Sequence, residues 1–402
     1  MRVRVMLLLG SLDGGGAERV AVNLANHCNP SLVDLRLGLL RRHGPYLEEM
    51  DAGRVEMAAS GSLWRAPLDI ARMIRAAQPQ VVMSFGMGVN MLTWLALKAL
   101  GPDRPRWICR EDSNPDAEIR NLLASHAGRA AVRKTTQWAY RSADYLLVVG
   151  HDLAAHLVRQ DGFEPGRLGV IHNPIDLAGI ERSAAEPLEV KPSRPFIVSA
   201  GRLVAQKGHD LLIKAFAECR AARDLDLVIL GQGPLERTLK EQAAALGVAD
   251  RVRFSGFQHN PWTWFAHSRL FVLPSRWEGF GNVVAEALAC GAPVLVSDCD
   301  FGPREQVEHG HSGWVAPSGD AGALARAMED LLNDPVLAAR LAAGGRARAR
   351  AFDISRIVPS YAELFIEQAS MHRPYRVRSG ALSPRAPALA TADGEFRLVV
   401  EE

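Results

Sequence analysis

Pro274-Ser275-Arg276-Trp277-Glu278-Gly279-Phe280-Gly281-Asn282-Val283-Val284-Ala285-Glu286-Ala287-Leu288-Ala289-Cys290-Gly291-Ala292-Pro293 compresses a strand end, a loop, a helix and the start of the next strand into one stretch. The apolar run 270–273 stops at Pro274, and glycines interrupt the loop that carries Glu278. An apolar helix opens near Asn282, and Gly291 ends it before a second apolar run, 293–297. Proline does not continue a central strand, and glycine favours the turn that closes a helix. A strand–helix–strand unit of this kind belongs to a parallel sheet.

The same alternation runs outward in both directions. Upstream, 196–200, 227–230 and 252–254 are short β-type runs, each followed by Gly, Pro or a helical pattern. Nearer the N-terminus come Val3–Leu9, 35–40, Val81–Phe85, 107–109 and 145–149, with a helix expected near 17–27. The fold class is therefore α/β, with two doubly wound domains in tandem. Residues 177–195 are polar and proline-rich and suit a linker, with the cleft lying across it. The expected boundaries are 1–176, the linker 177–195, a second domain 196–354, and a C-terminal segment 355–371 whose helical period starts after Pro359. The tail 372–402, rich in Pro, Arg, Ala and Ser, predicts weak order, with 394–400 as a single candidate edge strand.

Composition narrows the function. The chain has 402 residues, 48% hydrophobic and 23% charged, enough for two ordinary cores. Lys+Arg at 47 against Asp+Glu at 45 leaves +2, which gives no electrostatic case for a nucleic-acid partner. Cys28, Cys109, Cys219, Cys290 and Cys299 form neither CxxC pairs nor zinc-ligand spacings, so packed, reduced thiols and no metal are expected. The uncharged apolar run at the N-terminus ends after about five residues, short of the roughly 7–15 of a secretory signal. No stretch of 18 uncharged apolar residues occurs, and a cytoplasmic protein is expected.

Chemistry is expected in the loops after the strands. Val3–Leu9 runs into Gly10-Ser11-Leu12-Asp13-Gly14-Gly15-Gly16, where bare backbone lets a ligand or another chain segment approach the start of a helix. The spacing is not GxGxxG and no ribose-binding acid follows at a strand end, which argues against a dinucleotide cofactor. After 196–200, Arg202 and Lys207 lie five residues apart in a glycine-bounded loop and can neutralise a diphosphate, although solvated surface charge is the plainer alternative. Helical geometry puts Asn282 and Glu286 on one face, with the helix N-terminus beside them. Glu286 can then accept from ribose hydroxyls while N–H groups near 281–283 take a phosphate oxygen. A hydrolase pair of carboxylates is disfavoured, because glycosidase carboxyls stand roughly 5–9.5 Å apart and the backbones at 278 and 286 are separated by up to about 12 Å.

Taken together, these residues resemble the family 4 retaining glycosyltransferases, whose GT-B fold sets two facing Rossmann-like domains across a cleft. The resemblance covers roughly residues 1–370. It is carried by the Gly14-Gly15-Gly16 loop with Glu18-Arg19, by Ile171-His172-Asn173-Pro174-Ile175-Asp176, by Gly201-Arg202-Leu203 with Gln206-Lys207-Gly208, by Gly231-Gln232-Gly233-Pro234, and by Glu278 and Glu286. It implies that Arg202 and Lys207 bind the donor diphosphate, that Glu286 binds the ribose, and that Glu278 meets donor-sugar hydroxyls near the reacting centre. It implies further donor contacts at Gly16, Gly279, Phe280, Gly281 and Asn282, Phe257 against the base, and acceptor contacts at Gly14, Gly15, Arg110 and Glu111. No metal and no cofactor are implied, the nucleotide-diphosphate sugar being a substrate. A C-terminal helix is expected to cross back to the first domain. A nucleotide-sugar 2-epimerase of the same fold and a non-catalytic sugar-nucleotide-binding subunit are the alternatives.

Two stretches depart from many members. After the strand near 294–297 the chain reads Asp298-Cys299-Asp300-Phe301-Gly302-Pro303-Arg304-Glu305, a variant resembling the branch that uses N-acetylhexosamine or galactose-type donors, expected to be UDP-linked, and lipid-linked acceptors. In the first domain, Cys109-Arg110-Glu111-Asp112 stands where some members place a histidine, which leaves the residue supporting the sugar open. The segment 119–141 carries Arg120, Arg129, Arg133, Lys134 and Arg141 with Trp138 and no acid, and suits an anionic membrane surface at the inner face. Its imperfect amphipathicity leaves a solvated basic helix as the alternative.

Overall fold

Parallel pairing decides the architecture, and in this computed structural model it produces two separate sheets. The structure describes residues 2–57, 62, 64–188 and 192–371, so the candidate strand 394–400 lies outside the described residues. The strands β1 (Val3–Leu9), β2 (Val33–Leu39), β3 (Val55–Met57), β4 (Val81–Phe85), β5 (Arg106–Glu111), β6 (Tyr145–Val148) and β7 (Leu168–Val170) form a seven-stranded sheet in the order β3-β2-β1-β4-β5-β6-β7. A six-stranded sheet, in the order β10-β9-β8-β11-β12-β13, holds β8 (Phe196–Ala200), β9 (Asp226–Leu230), β10 (Val252–Phe254), β11 (Leu270–Leu273), β12 (Val294–Asp298) and β13 (Trp314–Pro317).

Around the first sheet run α1 (Gly16–His27), α2 (Ala66–Ala77), α3 (Gly86–Leu100), α4 (Pro115–Leu122), α5 (His126–Ser142) and α6 (His151–Asp161). The rest are α7 (Leu177–Ala184), α8 (His209–Glu218), α9 (Glu236–Ala245), α10 (Trp262–His267), α11 (Asn282–Cys290), α12 (Pro303–Gln306), α13 (Ala321–Asn333), α14 (Pro335–Ala349) and α15 (Ile354–Ser370). Each sheet buries both faces. In the first, Leu7, Val20, Leu37 and Phe365 pack on one side, and Leu8, Ile70, Trp107 and Leu153 on the other. In the second, Val198, Phe271, Val284 and Phe352 pack opposite Ile197, Leu212, Phe216 and Met328. Burial on both faces is why β4 and β8 read as nearly continuous apolar runs, each with a single buried serine.

Three readings of the sequence change. The short edge strands β3, β7 and β13 give too few residues for a period to show. The expected linker 177–195 contains α7, which packs on α10 and α11 of the second domain; Asp176 caps it by accepting from Gly179 N at 3.0 Å, and Ile180 is buried. Helix α15 starts at Ile354, capped by Asp353, and tolerates Pro359 inside it. Burial of Ile357, Tyr361, Leu364 and Phe365 against α1 and β1 offsets the backbone bond that proline forfeits.

Strand order reverses between β1 and β4 and again between β8 and β11. Loops leaving the carboxyl ends at such points form the binding crevice of an open α/β sheet. Here they are the glycine loop before α1, the loop of Arg202 and Lys207, and the loop of Glu278. Phe365 has no exposed surface. Phe365→Ala should lower the unfolding free energy by about 3–5 kcal/mol in urea titrations, and a loss below about 1 kcal/mol would show that α15 is not anchored through this ring.

Candidate functional site

Glu278 and Lys207 are neighbours in space through the adjacency of β8 and β11. Lys207 Nζ donates to Glu278 Oε1 at 2.5 Å, and Ser275 Oγ donates to the same oxygen at 2.7 Å. Both side chains are largely buried, 14% and 5% exposed, so neither charge is a solvated surface group. The ammonium carries three protons, which leaves donors for a second anion. Gly281 takes a left-handed conformation, φ +82°, at the N-terminus of α11, and a side chain there would be strained. Phe280 sits in the core beside Phe352, so of its expected donor contact only the main chain remains available.

Glu286, one face of α11 further on, is buried and accepts from Trp262 Nε1 at 3.3 Å. Burial raises its carboxyl above the ordinary range, while Arg19 and the Trp262 hydrogen bond oppose the rise. Arg19 comes from the first domain. It forms a two-pronged ion pair with Glu49, at 2.5 and 2.9 Å, and stacks over Tyr46 at 3.7 Å from the ring centre. Tyr46 in turn meets Phe257 edge-on, with ring centres 6.4 Å apart. A cavity of about 640 Å³ opens beside Phe257, lined also by Glu186, Ser255, His259 and Trp264, within the size range of ligand pockets. Trp262, Tyr46 and Glu49 had no signature in the sequence, since each matters only through a partner distant along the chain.

The glycines bring the domains together. A Cβ on Gly14 would stand 2.8 Å from the Phe257 ring, one on Gly16 3.3 Å from Asn282 Nδ2, and one on Gly279 would overlap the main-chain oxygen of Asp112. Gly15 caps α1. Asn282 Nδ2 donates to Gly16 O at 3.1 Å, and its Oδ1 accepts from Asn173 Nδ2 at 2.7 Å. Asn173 Oδ1 accepts from Arg110 Nη2 at 2.6 Å, completing a relay between domains.

The expected acceptor contacts at Arg110 and Glu111 are corrected by burial: both have no exposed surface. Arg110 reaches Asp112 at 2.6 Å as well as Asn173, and Glu111 takes the Tyr140 hydroxyl and the N–H groups of Asp112 and Ser113. They hold the end of β5 instead of meeting a ligand. The carboxylate oxygens of the next residue, Asp112, are buried against Arg110. Burial raises its carboxyl to about 6, against the pull of Arg110. Glu18 and Glu118 are likewise raised by burial, and Arg202, itself exposed, lowers both. Arg202 thus faces acids of the first domain.

The basic segment is less free than its sequence suggests. Arg133 pairs with Asp116 at 3.4 Å and Asp161 at 3.2 Å, acids supplied by α4 and α6, and Arg129 Nε donates to Leu123 O at 2.6 Å. Lys134 lies over the exposed Trp138 ring, and Leu122, at the end of α4, is also exposed. Among the described residues no helix is long and apolar enough to cross a membrane. All five cysteines are buried and unpaired.

Residues 14–178 match the family described as Glycosyltransferase Family 4, and residues 181–348 match Glycosyl transferases group 1. The chain belongs to the family 4 glycosyltransferases. This transferase is 33% identical over 218 residues to the N-acetylgalactosamine-N,N'-diacetylbacillosaminyl-diphospho-undecaprenol 4-alpha-N-acetylgalactosaminyltransferase of Campylobacter jejuni, a match spanning 54% of this chain and 59% of that one. It is 28% identical to the lipopolysaccharide core biosynthesis glycosyltransferase LpsD of Rhizobium meliloti, over 87% of this chain and 95% of LpsD. Its fold is the GT-B fold: HepE of Anabaena, solved with UDP-glucose, superposes with a TM-score of 0.75 at 20% identity, over 91% of this chain and 100% of HepE.

A raised acid binds its proton more tightly when folded, so it destabilises the folded state as pH rises from its unfolded to its folded pKa. For Asp112 that window is about pH 4 to 6. Asp112→Asn should flatten the fall of unfolding free energy across this window, measured by urea titration at several pH values. Parallel profiles for variant and wild type would remove Asp112 as a titrating group.

Proposed function

We propose that this glycosyltransferase moves a hexosyl or N-acetylhexosaminyl group from a UDP-linked donor to a saccharide acceptor carried on a lipid, with retention at the anomeric carbon. The observation that carries this reading is the buried Lys207–Glu278 pair at the N-terminus of α11, with Glu286 further along the same helix. The remaining Lys207 donors and exposed Arg202 supply the positive charge that a departing diphosphate needs, with no metal required in that role. Glu278, fixed by Lys207 and Ser275, keeps one oxygen for a sugar hydroxyl. Glu286 takes the ribose, and the base enters the cavity beside Phe257. The acceptor approaches the Gly14–Gly15 loop and the end of β5, and the leaving phosphate oxygen receives its proton. The UDP preference draws on the nucleotide bound to HepE, and the lipid-linked acceptor on the name of the Campylobacter relative.

Incubation with UDP-sugars and a polyprenyl-diphosphate saccharide should yield an extended lipid by mass spectrometry, with the anomeric configuration read by NMR. Lys207→Ala should cost about 2–4 kcal/mol in kcat/KM. Donor isomerisation without acceptor would select the 2-epimerase, and nucleotide binding with no turnover would select the binding subunit.

The same reading places the protein on the inner face of a membrane, through Leu122, Trp138 and Lys134, since Arg129 and Arg133 are engaged internally. Basic residues near an anionic surface contribute about 1 kcal/mol each, and salt screens them. The protein should sediment with anionic vesicles at low salt and be released at high salt, and Lys134→Gln with Trp138→Ala should remove most binding. Equal sedimentation with neutral vesicles, or no effect of the double substitution, leaves α5 a solvated helix.

A further inference from the structure

Glu305 belongs to the second domain, yet its carboxylate is spent on the first. Oε2 accepts from His151 N at 2.8 Å and Oε1 from Asp152 N at 2.9 Å, which places the negative charge on the N-terminus of α6. His172 Nε2 lies 3.1 Å from Oε2. Burial works against this carboxylate, but the bonds from His172 and the two amides outweigh it and hold the group below its ordinary range. The fit is two-sided: a Cβ on Gly150, the residue before α6, would stand 2.5 Å from Oε1.

The main chain around Glu305 is tied to the loop of Glu278. Glu278 N donates to Asp300 O at 3.2 Å, and Gln306 Nε2 donates to Phe280 O. A Cβ on Gly302 would stand 2.7 Å from Gly279 O, so the two loops lie backbone against backbone. Arg348 holds the far side, donating to Glu305 O at 2.5 Å and Gln306 O at 3.3 Å. His172 packs at 5.6 Å from the Phe280 ring. The stretch 300–306 therefore grips α6 through the Glu305 side chain, and the loop 278–281 through the Gln306 side chain and the main chain of Asp300 and Gly302.

We propose that Glu305 is a positioning residue, a clasp between the domains that seats the 279–281 loop for the donor sugar when the cleft closes. The inference rests on the transfer reading above, because that reading gives the loop its task. A cation shared by His151, His172 and Glu305 is the weaker use of the same atoms. The α6 N-terminus repels positive charge, and both carboxylate oxygens already accept.

The test uses the full chain. Glu305→Ala should lower kcat for transfer at least about tenfold while weakening the binding of UDP, measured by calorimetry, far less, since Arg202, Lys207 and Glu286 are untouched. Gly150→Ala, whose extended backbone accepts alanine, should act in the same direction by displacing the carboxylate. The double variant should be no worse than Glu305→Ala alone, because both remove one contact. In small-angle scattering without ligand, both variants should be more extended than the wild type. Unchanged kcat, additive losses, an equal loss of UDP affinity, or scattering identical to wild type would each overturn the clasp. Should Glu305→Ala not fold, Glu305→Gln and Gly150→Ala carry the same comparisons. A wild type that transfers no sugar would sink the proposed function and leave the scattering comparison of the clasp standing.

Discussion

How closely two backbones can approach governs this molecule, because the site is assembled only when the loops of both domains touch. Gly279 lies against the main chain of Asp112, Gly16 against Asn282 and Gly14 against Phe257. Any side chain at Gly279 would hold the domains apart by its own thickness. The glycines therefore act less as flexible joints than as absent volume. Only at that separation can Asn282 link Gly16 to Asn173, and Arg19 sit close enough to offset the charge of Glu286.

Charge in the cleft follows from the same closeness. A buried ammonium or carboxylate left alone is costly, whereas a paired one with its remaining positions satisfied is tolerable. Lys207 and Glu278 pair within the second domain, while Arg202 is exposed and faces Glu18 and Glu118 of the first. The two cations thus differ in readiness. Lys207 is held in place before any ligand arrives, with its position set by Glu278. Arg202 stays exposed opposite those acids, so under the proposed transfer reading one side chain can exchange them for a diphosphate.

The sequence carried the strands well wherever burial on both faces made a nearly continuous apolar run, as at β4 and β8, and poorly at β3, β7 and β13, where three or four edge residues show no period. Linker composition misled at α7, because proline and charge at 186–195 masked the apolar spacing of Leu177, Ile180 and Ala184 just before them. The placement of Lys207 and Glu278 in loops after strands and of Glu286 on α11 was legible because loop position and helix spacing are local properties. Arg110 and Glu111 were expected to meet the acceptor because the family resemblance implied it; their burial depends on Asn173 and Tyr140, 63 and 29 residues away. Glu305 was visible as a departure in sequence, but its partner, the start of α6, was not.

The chain crosses between the domains twice, at Ile175 and at Asp353, and the crossings are bonded side by side: Ile175 N donates to Phe352 O at 2.9 Å and Ile354 N to Ile175 O at 2.8 Å. Two paired segments bend together far more easily than they slide, so the economical motion is rotation about that line. The α15 helix, anchored in the first core by Tyr361 and Phe365, starts at the crossing and fixes the axis to the first domain. On the second domain α7 does the same, starting just after Ile175 and packing on α10 and α11. Helix α7 packs directly on the helix that carries Asn282 and Glu286, so rotation about the crossings moves those two side chains as a rigid unit with the hinge. A device for moving α11 relative to the first domain is thus written into the same packing that stabilises each half.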